Sequence, residues 1–295
     1  MRSSRVSAFS AAIIGLLIAT GGYCQTVTIA SWNVRIYSTG SRDDAELELI
    51  CDRLEQFDLV AVQELRDQEV IDRTLAILQG RGQDFEALVS EGVGRGVLER
   101  YGFLWRPEKV ELVDVGGFYP DPEDLLIREP YWATFRAGSF DFTLISTHNI
   151  WGDRVADRRA EAALMDDVYA YVQAVDPAEQ DVILMGDFNL PPDDAGFEEL
   201  RGVLTPLFNA DQRTVISDNE IYDNVWVDLA FVAEWTGETG IDVFDEAVFD
   251  DDDRAASLAV SDHRPIWAKF RTGSDDDGPG ASTGVAGSSW AEIKR

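Results

Sequence analysis

The chain has 295 residues, 45% apolar and 11% aromatic, which is enough to bury a full core and excludes a disordered or fibrous polypeptide. A formal net charge of −30 and a pI near 4.2 exclude the extended basic footprint that grips nucleic acid unaided, so any contact with phosphate must be local, through arginines and metal. Lys109, Lys269 and Lys294 are the only lysines among 25 basic residues, and such acidity fits a salty habitat, where screening reaches only roughly 3 Å at about 1 M salt.

Arg2 and Arg5 precede an apolar stretch at residues 8–19, followed by Thr20, Gly21 and Gly22. This predicts a secretory signal peptide over residues 1–24, since the stretch falls short of the roughly 20 apolar residues of a spanning helix. Tyr23 directly before Cys24 argues against lipid attachment there. Cleavage near Cys24 leaves Cys51 as the one remaining cysteine, so the exported chain, extracellular or periplasmic, has no internal disulfide and depends on its core.

Apolar runs at 27–32, 59–63, 101–105, 110–115, 131–135, 142–146, 182–185, 225–232 and 265–270 read as strands, and residues 45–57, 69–78 and 154–175 carry helical spacing. Strands outnumber helices, and no linker divides the chain between about 26 and 271, which predicts one domain over residues 25–271 built of two packed sheets with helices outside. Residues 272–295 are rich in Gly, Ser and Asp and read as a solvated tail with a short terminus around Trp290. The acidic run 250–253 reads as a solvated loop.

The only two histidines close apolar runs, in Ser146-Thr147-His148-Asn149 and Ser261-Asp262-His263-Arg264. A lone histidine of this kind is more often structural, and a lone Asp or Asn at a strand end more often makes an Asx turn. Other strand ends change the balance: Ser31-Trp32-Asn33, Val62-Gln63-Glu64 and Gly186-Asp187-Phe188-Asn189 are equally polar.

Taken in this order, these motifs resemble those of the endonuclease/exonuclease/phosphatase superfamily. Gln63-Glu64-Leu65-Arg66-Asp67, Glu99-Arg100-Tyr101, Arg128-Glu129-Pro130, the Gly186–Asn189 motif and Tyr222-Asp223-Asn224 are most similar to the deoxyribonuclease I branch and its bacterial secreted relatives. The resemblance implies a four-layered α/β sandwich, with two stacked, mainly antiparallel sheets flanked by helices. It also implies a Mg²⁺-dependent endonuclease, a monomer acting on nucleic acid, most simply DNA, with low sequence specificity and no stable membrane partner. Glu64 and Asn33 are implied metal ligands, with Asp262 a further ligand or a neighbour of one; Mn²⁺ is the alternative ion. His148 with Glu99 and His263 with Asp223 are implied acid–base or charge-stabilising pairs. Asp187 would activate water, Asn189 would donate to a phosphoryl oxygen, and Arg66 and Arg128 would hold backbone phosphates. Arg95, Arg154, Arg158 and Arg159 could join the rim, but helix arginines more often face solvent or pair with acids.

The chain departs from pancreatic deoxyribonucleases in two places. Val97 stands where they carry a groove-binding tyrosine, which puts a duplex preference in doubt, and residues 116–122 hold no cysteine, so a structural Ca²⁺ site there is not carried over. Two other readings compete: a sphingomyelinase-like phospholipase or phosphatase of the same superfamily, and an inactive binding module. Exposed aromatics would mark lipid work. Trp151 is either such a residue or a buried strand-end side chain. The completeness of the polar set argues against an inactive module.

Overall fold

Residues 26–275, apart from residue 218, are described by a computed structural model; the expected signal peptide, Cys24 and the tail from residue 276 lie outside the described residues. In chain order the elements are β1 (Thr26–Tyr37), α1 (Asp44–Leu54), β2 (Leu59–Leu65), α2 (Gln68–Gly80), β3 (Glu86–Val89), β4 (Arg100–Trp105), β5 (Glu111–Phe118), β6 (Tyr131–Ala137) and β7 (Phe140–His148). There follow α3 (Val155–Ala162), α4 (Met165–Val175), β8 (Val182–Asp187), α5 (Leu200–Val203), β9 (Thr205–Pro206), β10 (Asp223–Val227), β11 (Trp235–Ile241), α6 (Phe244–Phe249), α7 (Asp253–Ala259) and β12 (Ile266–Arg271).

The strands form two six-stranded sheets, ordered β11-β12-β1-β2-β4-β3 and β5-β6-β7-β8-β10-β9. Each has one parallel pair, β1 with β2 and β7 with β8, and is otherwise antiparallel. Because side chains alternate across a strand, each sheet has two faces to cover. Ile29, Leu59, Ala61 and Phe103 of the first sheet meet Phe135, Phe142, Leu144, Met185 and Val225 of the second in a shared inner core. The outer face of the first sheet, with Trp32, Val60 and Val62, packs on Leu47 and Ile50 of α1, Val70 of α2 and Phe244 of α6. The outer face of the second, with Ile145, Leu184 and Trp226, packs on Ala162, Met165, Val168 and Val172 of α3 and α4. The result is the expected four-layered α/β sandwich.

Several boundaries differ from the sequence expectation. The helix expected over 154–175 is two helices, since Ala163 closes α3 and α4 begins only at Met165. The strand expected over 225–232 stops at Val227, because Asp228 opens a turn whose backbone and carboxylate accept from Val232 and Ala230. β11, the edge strand Trp-Thr-Gly-Glu-Thr-Gly-Ile, was not anticipated, having no apolar run to signal it. Cys51 is a free thiol in the outer core of α1, and burial pushes its pKa up to about 12.

Candidate active site

The site begins where β1 and β2 lose their regular pairing. Asn33 stands opposite Gln63 at the last regular position before the register shifts, and β2 shifts against β4 between Val62 and Leu65. Glu64 adopts a left-handed backbone, φ 58°. Such irregularities re-aim side chains at the cost of local strain. Asn33 therefore lies within β1 rather than at its end, and it meets Glu64: Asn33 Nδ2 is 3.3 Å from Glu64 Oε1. Glu64 Oε2 accepts from the Ile36 N–H at 2.9 Å. The neighbouring Gln63, fully buried, donates to Ser31 of its own sheet (3.2 Å) and to Ser146 of the other (3.0 Å), bonding the two sheets at this end.

The second sheet brings His148, Asp187 and Asp223. His148 ends β7, Asp187 ends β8 directly opposite it, and Asp223 of β10 is paired in register with Asp187. This approach requires Gly186: its φ is 148°, and a Cβ there would stand 2.0 Å from the Thr147 carbonyl oxygen. Asn33 Nδ2 donates across the sheets to Asp187 Oδ2 at 3.0 Å. The same oxygen lies 3.6 Å from both His148 Nε2 and His263 Nε2. Each imidazole is set by a carboxylate on its other nitrogen, His148 Nδ1 with Glu99 at 2.7 Å and His263 Nδ1 with Asp223 at 2.8 Å. Asn189, also left-handed at φ 53°, donates its N–H to Asp187 Oδ1 (2.9 Å) and its amide to the Asn149 carbonyl (2.8 Å), leaving a second amide hydrogen for a ligand.

Charge is concentrated here. Burial would raise Glu99, but the hydrogen bond and charge of His148, with Arg128 and Arg66, outweigh it and hold the carboxyl at about 2. Burial opposes protonation of His263, yet Asp223 and Asp187 beside it prevail and keep its pKa well above that of a free imidazole. Arg66 reaches Glu99 at 3.3 Å and Glu64 at 3.5 Å. Arg128 donates to the carbonyls of His148 (2.9 Å) and Asn149 (3.0 Å), so part of its fork shapes the protein rather than facing outward. Asp262 lies at the edge of the group, 44% exposed and 3.6 Å from Arg35.

The donors suit a hard divalent cation. Asn33 Oδ1 is buried without a hydrogen-bond partner among the described residues, on a side chain whose Nδ2 meets the Glu64 carboxylate, and both residues offer oxygen ligands. Glu64 and Asn33 would hold the ion. In the 116–130 segment Asp121, Asp124 and Glu129 gather carboxylate oxygens within 4.8 Å of one another, but Asp121 is already accepting from the Leu126 N–H at 2.7 Å.

Sequence reasoning assigned no role to Tyr101 or Glu161 and considered Arg158 only for the rim. Tyr101 OH accepts from the His148 N–H at 3.1 Å, buried Glu161 accepts from the Ile127 N–H at 2.7 Å and from the Ile150 N–H, and Arg158 donates to the Asn189 carbonyl at 3.0 Å. None has a local signal, because their partners lie on other elements.

Comparisons with known proteins agree with this fold. The family model described as Endonuclease/Exonuclease/phosphatase family matches residues 30–263. A Thioalkalivibrio sp. (strain K90mix) protein described as Deoxyribonuclease is 32% identical over 274 residues, covering 88% of this chain and 75% of that protein. Deoxyribonuclease-1 of Bos taurus is 28% identical, covering 86% and 96%. Among solved structures, the human Nocturnin catalytic domain with bound sulfate aligns with a TM-score of 0.57 at 13% identity, covering 83% of this chain and 94% of that one. An endonuclease/exonuclease/phosphatase family protein from Bacteroides thetaiotaomicron aligns with a TM-score of 0.56 at 16% identity, covering 83% and 97%. With its site residues from Asn33 to His263 all inside the matched span, the chain belongs to the endonuclease/exonuclease/phosphatase family.

Proposed function

We infer that the protein is a secreted, Mg²⁺-dependent endonuclease that hydrolyses phosphodiester bonds of DNA with low sequence specificity, acting as a monomer without a stable membrane partner. The observation that carries this reading is the convergence of two carboxylate-oriented histidines on one oxygen of Asp187, beside the Asn33–Glu64 pair. Its deoxyribonuclease relatives favour DNA as the substrate. Export rests on the composition of residues 1–24.

Hydrolysis requires an activated water, donors for the phosphoryl oxygens and a proton for the leaving oxygen. Asp187 takes the proton of a water whose oxygen bonds to phosphorus. His263, kept protonated by Asp223 and Asp187, gives its Nε2 proton to the leaving oxygen as the phosphorus–oxygen bond breaks. His148, fixed by Glu99, and the free amide hydrogen of Asn189 donate to the non-bridging oxygens. Glu64 and Asn33 would hold a Mg²⁺ ion, which would supply Lewis-acid neutralisation of charge on the phosphate. None of these groups reads a base edge, which accords with low specificity.

The test is nicking of supercoiled plasmid by the purified protein with Mg²⁺, at low and high salt, beside EDTA and His263→Ala controls. Nicking lost in both controls supports the reading, and persistence at high salt supports the saline habitat. Intact plasmid with hydrolysis of sphingomyelin or a phosphomonoester would overturn it in favour of another activity on the same fold.

A further inference from the structure

The backbone beside His148 is pinned from several directions. Arg128 holds the carbonyls of His148 and Asn149, Asn189 donates to the same Asn149 carbonyl at 2.8 Å, and the Ile150 N–H is bonded to buried Glu161. Asn149 N–H is bonded in turn to the Asp187 carbonyl at 2.9 Å. Immediately after this fixed frame comes Trp151, 65% exposed. A pinned backbone thus carries an exposed indole, a flat apolar face, only three residues along the chain from His148.

Arg128 ties this frame to a second one. The 93–99 hairpin, closed by hydrogen bonds between Val93 and Glu99, rests on it: a Cβ at Gly94 would touch Arg128 Cγ at 3.4 Å. At the hairpin tip Val97 and Leu98 are 70% and 52% exposed. Arg128 thus bridges the hairpin, through its aliphatic stem, and the 148–149 backbone, through its guanidinium, and of the exposed side chains Val97, Leu98 and Trp151 only the indole offers a π-face.

An exposed aromatic beside a phosphodiesterase site could serve a nucleobase or a lipid surface. The surroundings favour the base. Trp151 is followed by Gly152, Asp153 and Arg154, with Asp157 on the next turn, so it sits in a polar stretch and not in an apolar hairpin. A nucleotide can present its base to the indole and its phosphate to Arg128, whereas a lipid surface would call for further exposed apolar side chains around the indole. A duplex hides base faces inside the stack, and an unpaired strand exposes them.

We propose that Trp151 is a stacking platform for an unpaired nucleobase flanking the scissile phosphodiester, which gives the enzyme a preference for single-stranded over duplex DNA. This rests on the nuclease reading above.

The probes are a labelled thymidine oligonucleotide, the same oligonucleotide with abasic positions, a duplex of matched length and sphingomyelin vesicles, given to wild type, Trp151→Ala and Trp151→Phe. Wild type should favour the intact single strand over the abasic one by about tenfold in kcat/KM, the size expected for one stacked base. Trp151→Ala should abolish that discrimination through KM, and Trp151→Phe should keep most of it. Equal discrimination by wild type and Trp151→Ala overturns the proposal, as does a uniform loss on every DNA substrate. Vesicle hydrolysis lost in Trp151→Ala, with discrimination among DNA substrates unchanged, would assign the indole to a lipid surface instead. Cleavage of no DNA by wild type would overturn the nuclease reading and this proposal with it, a result distinct from indiscriminate cleavage.

Discussion

His148 and His263, far apart in the chain, present their Nε2 atoms to the same oxygen, Asp187 Oδ2, each at 3.6 Å. The two rings come from different sheets, His148 from the end of β7 and His263 from the loop before β12, and each is turned inward by its own carboxylate. Groups that share a partner in this way act as a unit.

That coupling has a kinetic signature. His148→Ala and His263→Ala should each lower kcat about 10²- to 10⁴-fold, and the double variant should lose much less than the product of the two. Plasmid nicking rates with saturating Mg²⁺, with circular dichroism to verify folding, measure this; a multiplicative double loss would show that the rings act independently.

Asn33 contributes an oxygen that no protein donor satisfies among the described residues. Asn33→Ala should raise the Mg²⁺ concentration for half-maximal activity by at least about tenfold, with a smaller change in kcat at saturating metal. A metal titration of the activity reads the shift, and an unchanged midpoint would remove Asn33 from the ion's ligands.

The depressed pKa of Glu99 makes it a pH-linked stabiliser. With a folded value of about 2 against an ordinary 4.5, its contribution is fully present above pH 4.5 and is lost as pH falls towards 2. The full contribution is on the order of 3 kcal/mol. Urea melts of wild type and Glu99→Gln at pH 7, 5 and 3 should show a gap that narrows as pH falls. A gap independent of pH would mean that the carboxylate charge contributes nothing.

Gly186→Ala puts a methyl group into the Thr147 carbonyl in a backbone conformation that L residues avoid. The expected cost is about 3 kcal/mol or more, which for a domain of this size lowers Tm by at least roughly 6 °C. Thermal unfolding by differential scanning calorimetry checks it, and a Tm within about 2 °C of wild type would show that β7 and β8 can separate without loss.

Much of the strand framework was visible in the sequence, because buried strands need apolar runs and this chain spells them out at β1, β2, β4, β7 and β8. The edge strand β11 was not visible, since an edge position buries little and its Thr, Glu and Gly residues carry no pattern. The division of residues 154–175 into two helices was equally hidden, because both halves keep apolar residues at helical spacing.

The sequence by itself determined the residue types of the site, the strands that carry most of them and the layered class of the fold, because each of these depends on local apolar pattern and short motifs. Only the tertiary structure decided what those residues do to one another. The aim of two imidazoles at Asp187, the opposed effects of burial and neighbouring charge on Glu99 and His263, and the internal commitments of Arg66 and Arg128 arise from groups brought together across two sheets. The exposure of Trp151 belongs with these, since it depends on which side of a pinned loop faces water, and no nearest-neighbour pattern in the chain encodes that.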